Sequence, residues 1–232
     1  MQNEANKRRM EKWAFQSSEE PGYHRVIVPG KADCKAIHID RLNLPAGESY
    51  TLSTGSLEMH PVLLSGSARL SEHAILHQEL KKFGSFYLPV DSSIRITASE
   101  DCVFYIAGAE YEGIGAPSFR RYDASLPIGE IHQIHGKGVG RREVMFTLDP
   151  KTPASRLICG LTWGGAWTSW PPHQHEKDLE EAYCYFDMPA PKFGMHISYL
   201  KSGETEDAVA HFVRSGTMVI APCGYHPTAA SP

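Results

Sequence analysis

The stretch Trp170-Pro171-Pro172-His173-Gln174-His175-Glu176-Lys177-Asp178-Leu179-Glu180-Glu181-Ala182-Tyr183-Cys184-Tyr185-Phe186 concentrates groups that bind metals and move protons. In extended chain, residues two apart share a face, so His173 and His175 point one way, and Glu181, Tyr183 and Tyr185 share a face of the next strand. Two imidazoles and a carboxylate form a donor set that Zn, Mn, Fe, Co and Ni all accept. A further donor has to come from elsewhere, and Pro222-Cys223-Gly224-Tyr225-His226-Pro227 offers His226. Glu180 and Glu181 both stand near the distance the acid needs. Glu181 is favoured as the ligand because it shares its strand face with the two tyrosines.

These groups need a rigid frame, and the chain reads as all-β. From Tyr23 onward, short apolar or alternating runs such as Ser93-Ile94-Arg95-Ile96-Thr97-Ala98 and Cys102-Val103-Phe104-Tyr105-Ile106-Ala107 are separated by clusters of Gly, Pro, Ser and Asp. Short strands at such spacing predict a sandwich or barrel. Gly84-Ser85-Phe86-Tyr87-Leu88-Pro89 and Gly216-Thr217-Met218-Val219-Ile220-Ala221-Pro222 are similar phrases far apart in the chain, which suggests a duplicated barrel. The expected organisation is an N-terminal arm or short helix over 1–22 and a first barrel without metal ligands over 23–115. A Gly- and Pro-rich crossover over 116–140 and a metal-binding barrel over 141–232 follow.

The 232 residues carry a net charge of −4 with no long run of one sign, so neither nucleic acid nor an anionic membrane is an expected partner. The five cysteines are odd in number and widely spaced, which predicts reduced thiols in a cytoplasmic protein. No apolar run approaches the roughly 18 residues of a membrane span.

The phrases Trp167-Thr168-Ser169-Trp170-Pro171-Pro172-His173-Gln174-His175, Leu179-Glu180-Glu181-Ala182-Tyr183-Cys184-Tyr185-Phe186 and Pro222-Cys223-Gly224-Tyr225-His226-Pro227 resemble the bicupin uronate isomerases. The likeness runs from about residue 25 and is densest over 163–228. It implies a duplicated jelly-roll (cupin) fold and a divalent metal held by His173, His175, Glu181 and His226, with Zn or Mn expected first. It also implies an intramolecular oxidoreductase that converts a deoxy uronic acid from aldose to ketose. The first expected substrate is 5-deoxy-glucuronate, giving 5-dehydro-2-deoxy-gluconate in inositol catabolism. The second is 4-deoxy-5-ketouronate of pectin breakdown. An Fe(II) dioxygenase and a non-catalytic sugar-binding module remain as other readings of the same ligands.

For that chemistry Glu180, Tyr183 and Tyr185 are the candidate proton carriers, and Arg141 and Arg142 the candidates for the substrate carboxylate, with Lys201 behind them. His60, His73, His77, His132, His135, His196 and His211 lack partner spacing and are expected to be structural or exposed. Trp163, Trp167 and Trp170 are expected to pack. Barrel edges and the arm suggest a homodimer. The chain stops six residues after His226, so the second barrel is expected to lack its closing strand.

Overall fold

The structure, a computed structural model, describes residues 2–151, 154, 156–164, 166–175 and 178–230. Two antiparallel β units follow one another, behind the helix Gln2–Met10 and a 3-10 turn at Glu11–Trp13. The helix does not suffice to span a membrane, and no other described helix does.

In the first unit a six-stranded sheet runs in the order Ser118–Arg120, Ser85–Tyr87, Leu57–Ser65, Cys102–Glu110, His38–Leu44 and Gly22–Ile27. It faces a four-stranded sheet of Ser49–Ser53, Ser93–Ala98, Ser67–Ser71 and Glu79–Lys81. Alternation decides what lies between them: Ile94, Ile96 and Ala98 are buried along one strand while the residues between them are more exposed. The interior is apolar, filled by Leu42, Leu63, Leu70, Phe86, Phe104 and Ile106 among others.

The second unit has three smaller sheets. One joins Ala14–Gln16, Thr217–Ala221 and Glu181–Cys184; the next joins Trp167–Thr168, Thr228–Ala230, Gly194–Ser198 and Val209–Val213; the third joins His132–His135, Arg142–Leu148 and Cys159–Gly164. The strand Thr228–Ala230 follows His226 and pairs on both sides, where the sequence led us to expect no closing strand.

The arm and the crossover are also more than connectors. Ala14–Gln16 from the arm pairs with Thr217–Ala221 of the second unit. Ser118–Arg120 from the crossover pairs with Ser85–Tyr87 of the first, and His132–His135 with Arg142–Leu148 of the second. Each short strand satisfies backbone groups that a sheet edge would leave open. A second core lies between the units, where Trp13, Val26, Ile27, Val62, Leu64, Met218 and Ile220 are buried together. Polar bonds cross the same seam: the Tyr105 hydroxyl donates to the Tyr185 carbonyl at 3.0 Å, and His60 Nε2 meets Thr147 Oγ1 at 3.0 Å.

Among the described residues the cluster of three histidines lies in the second barrel, and the matching positions of the two barrels differ there. Met59 bridges to Leu88, just ahead of Pro89, as Glu181 pairs with Ala221, just ahead of Pro222. Where the second barrel turns a carboxylate inward, the first turns a thioether into its apolar core.

Candidate metal centre

The strand Glu181–Cys184 divides its side chains between two environments. Ala182 and Cys184 pack against the core between the units, and Glu181 and Tyr183 turn the other way. His173 and His175 arrive from the irregular segment that follows Trp170, and His226 from the link between Thr217–Ala221 and Thr228–Ala230. One ring nitrogen from each of His173, His175 and His226 lies within 4.8 Å of the other two. Glu181 Oε2 is 3.1 Å from His226 Nε2 and 3.6 Å from His175 Nε2.

Two of the imidazoles have their other nitrogen occupied. His173 Nδ1 lies 2.9 Å from the Pro171 carbonyl and His226 Nδ1 lies 3.3 Å from that of Gly224. A carbonyl only accepts, so Nδ1 carries the proton and Nε2 presents its lone pair. His226 Nε2 and Glu181 Oε2 are buried and make no hydrogen bond, although they approach each other closely. Two facing lone pairs in a buried site repel unless something positive lies between them. Three imidazole nitrogens and one carboxylate oxygen therefore fit a divalent cation.

The electrostatics agree with that fit. Burial works to raise the Glu181 pKa, but a proton on the facing imidazole of His226, then Tyr183 and His175, outweigh it and hold the carboxyl below its usual range. The carboxylate is therefore stabilised when positive charge stands where Nε2 and Oε2 meet. Burial pushes His175 down, against the pull of Glu181, so the ring favours its neutral, metal-binding form. Tyr183 is pushed well up by burial and then by Glu181, so its phenol keeps its proton.

The structure thus brings His173, His175, Glu181 and His226 together, with Tyr183 beside them; its ring centroid is 5.7 Å from that of His226 and its hydroxyl donates to Ser169 Oγ at 3.2 Å. It takes Glu180 elsewhere. The Glu180 carboxylate accepts the backbone N–H groups of Lys35, Ala36 and Ile37, so it is already engaged and cannot serve as the expected proton carrier. The Tyr185 hydroxyl is engaged with His196 Nδ1 at 2.9 Å and Thr228 Oγ1 at 3.4 Å. Arg142 donates from Nη1 to the Trp170 carbonyl at 2.8 Å, at the start of the segment that carries His173, and Arg141 is exposed. Lys201 forms an exposed ion pair with Glu204. Trp167 and Trp170 pack against each other, ring centroids 5.1 Å apart and planes tilted by 46°, while Trp163 packs with Phe83 and Tyr122.

His196 is the residue that motif spacing missed. It is fully buried, its ring lies 5.1 Å from Tyr183 and 6.5 Å from His226, and its Nε2 has no partner. Burial drives its pKa well below the ordinary histidine value. A signal was there: in Met195-His196-Ile197-Ser198 the polar residues alternate with the apolar ones, and both polar residues turn out to be fully buried.

Comparison with known proteins places these features in one family. The model of the KduI/IolB family matches residues 12–232. The 5-deoxy-glucuronate isomerase of Halalkalibacterium halodurans is 23% identical over 215 residues, covering 87% of this chain and 79% of that protein. The protein of the same name from Geobacillus kaustophilus is 28% identical over 236 residues, covering 93% and 82%. Among solved structures, an IolB-like protein from Salmonella typhimurium aligns with a TM-score of 0.77 at 23% identity, over 94% of this chain and 87% of that one. An oxalate decarboxylase variant from Bacillus subtilis shares the cupin fold with a TM-score of 0.64 at 13% identity, over 94% and 73%. With nearly its whole length matched by the family, the chain belongs to the KduI/IolB family.

Proposed function

We propose that the chain is a metal-dependent aldose–ketose isomerase acting on a deoxy uronic acid, with 5-deoxy-glucuronate as substrate and 5-dehydro-2-deoxy-gluconate as product. The observation that carries this reading is the convergence of His173, His175, Glu181 and His226 inside one barrel of a KduI/IolB chain. A divalent metal, Zn or Mn first, held by these four residues would supply Lewis-acid stabilisation of the negative charge that develops as the carbonyl migrates.

The chain's own groups divide the remaining work. In the isomerisation, the carbon beside the aldehyde loses a proton, the aldehyde carbon gains one that exchanges with solvent on the way, and the hydroxyl proton moves from one oxygen to its neighbour. Tyr183 suits the oxygen-to-oxygen transfer: burial keeps its hydroxyl protonated, and Ser169 holds it beside the metal-binding groups. It gives its proton to the carbonyl oxygen and takes one back from the neighbouring hydroxyl. Arg142 is anchored by one N–H on Trp170, which leaves other guanidinium donors for the substrate carboxylate. Tyr185, tied to His196 and Thr228, braces the wall behind Tyr183.

The test is metal analysis of the purified protein, followed by NMR of 5-deoxy-glucuronate and of 4-deoxy-5-ketouronate incubated with it. The reading predicts bound divalent metal and conversion of the first compound. Conversion of the second alone moves the protein to the other substrate, and iron content with oxygen consumption moves it to dioxygenase chemistry.

A further inference from the structure

Glu180 immediately precedes Glu181 and lies five residues beyond His175, yet its carboxylate serves a different partner. Oε1 accepts the N–H of Lys35 at 2.8 Å, and Oε2 accepts those of Ala36 at 2.8 Å and Ile37 at 3.0 Å. The Cys34 thiol approaches Oε2 at 3.7 Å. Three consecutive amides converge on one anion, and hydrogen bonds to an ionised acceptor are about twice as strong as neutral ones.

The loop that receives Glu180 is itself pinned. Gly30 N–H donates to the Cys34 carbonyl at 2.9 Å and Cys34 N–H to that of Lys31 at 3.1 Å. Asp33 accepts from Trp13 Nε1 at 2.5 Å and from Arg9 Nε at 2.8 Å. Trp13 and Cys34 are buried in the core between the units. On the metal side, the His175 carbonyl accepts the N–H groups of Asp178 at 2.8 Å and Leu179 at 3.0 Å, which ties His175 to the residues just ahead of Glu180. His175 and Glu181 therefore lie on either side of one fixed point, and among the described residues of 173–183 no other side chain hydrogen-bonds to the first unit.

We infer that Glu180 is a positioning residue for the metal centre: by docking its carboxylate on the 35–37 amides, it sets the approach of His175 and Glu181 toward His173 and His226 and couples the centre to the core between the two units. This rests on the metal-site reading above. A carboxylate suits the task because both oxygens accept, whereas glutamine would turn a donor toward one of the amides.

The test is a Co2+ titration of metal-free protein, followed by the visible absorption of the bound ion. It compares wild type with Glu180→Ala, Glu180→Gln and Leu70→Ala, the last a substitution in the core of the first barrel, and records Tm for each. Wild type should bind Co2+. Glu180→Ala should bind it ten- to a hundredfold more weakly, the range typical of lost outer partners, with a shifted ligand-field spectrum. Glu180→Gln, nearly isosteric, should fall between and carries the test if the alanine variant does not fold. Leu70→Ala should lower Tm yet keep wild-type affinity and spectrum. Wild-type affinity and spectrum in both Glu180 variants overturn this inference alone, as does a loss in Leu70→Ala that matches its fall in Tm. A wild type that binds no Co2+ overturns the metal-site reading as well.

Discussion

Replacing Glu181 with glutamine should move metal affinity and metal-free stability in opposite directions. The carboxylate is the one anionic group among the four converging donors, and its Oε2 faces His226 Nε2 at 3.1 Å and His175 Nε2 at 3.6 Å. Losing an outer partner of a metal site costs ten- to a hundredfold in affinity, so losing the charged donor itself should exceed roughly a hundredfold, about 2.8 kcal/mol. Without metal, however, Oε2 and Nε2 are buried and make no hydrogen bond. A glutamine amide in the same place donates N–H to the His226 lone pair and replaces a repulsive contact with a hydrogen bond. A net gain of about 1 kcal/mol is expected, which for a chain of this size raises Tm by about 2–4 °C. The assay is thermal unfolding of Glu181→Gln and wild type in chelator, paired with Zn2+ and Co2+ titrations. A variant that melts several degrees lower when metal-free, or that binds metal like wild type, refutes the argument that these lone pairs are poised for a cation.

Tyr183→Phe should lower turnover by about 10²–10⁴-fold, the usual weight of a positioned proton carrier, while metal stoichiometry stays unchanged. Steady-state kinetics with metal analysis of the same sample checks this, and near-normal turnover removes Tyr183 from the mechanism. Arg142→Ala should raise KM for the uronate at least tenfold and leave metal binding intact; a change in kcat alone would mean that Arg142 only braces Trp170. Acid should weaken the metal-free fold through His60, whose pKa burial lowers to about 3 from an ordinary value near 6.5. The folded form binds fewer protons than the unfolded, so this contribution is complete above the ordinary value and is lost as pH falls below it. At about pH 5.5 the loss is roughly 1.4 kcal/mol. Urea unfolding of wild type and His60→Gln at about pH 5.5 and about pH 7.5 should show a smaller pH dependence in the variant.

The convergence of these histidines and Glu181 was legible in the sequence because short-range patterns encode it. His173 and His175 are two residues apart, Glu181 and Tyr183 alternate on a strand, and His226 follows a Gly-to-Pro strand phrase that recurs in the first half. What escaped was set by distant backbone. Nothing local marks Glu180 as bound to amides more than 140 residues earlier, so its nearness to Glu181 made it look like a proton carrier. The arm and crossover read as connectors because their strands are only three or four residues long, and the arm's strand finds its partner at the far end of the chain. Thr228–Ala230, equally short, was lost for the same reason. His196 lacks a motif; only its polar alternation with Met195 and Ile197 hinted that this strand faces a polar interior. The first barrel has an apolar interior, with Met59 at the position that matches Glu181 in the second.

The central claim is that this constellation isomerises a deoxy uronate with the help of a bound divalent metal. It is tested most directly by NMR of 5-deoxy-glucuronate in D2O with metal-loaded protein, then with the same protein after chelation and after metal is restored. The account predicts conversion to 5-dehydro-2-deoxy-gluconate with solvent deuterium at the former aldehyde carbon, loss of conversion on chelation and its return with metal. Folded, metal-loaded protein that leaves the substrate unchanged, or turnover that persists undiminished without metal, would contradict it.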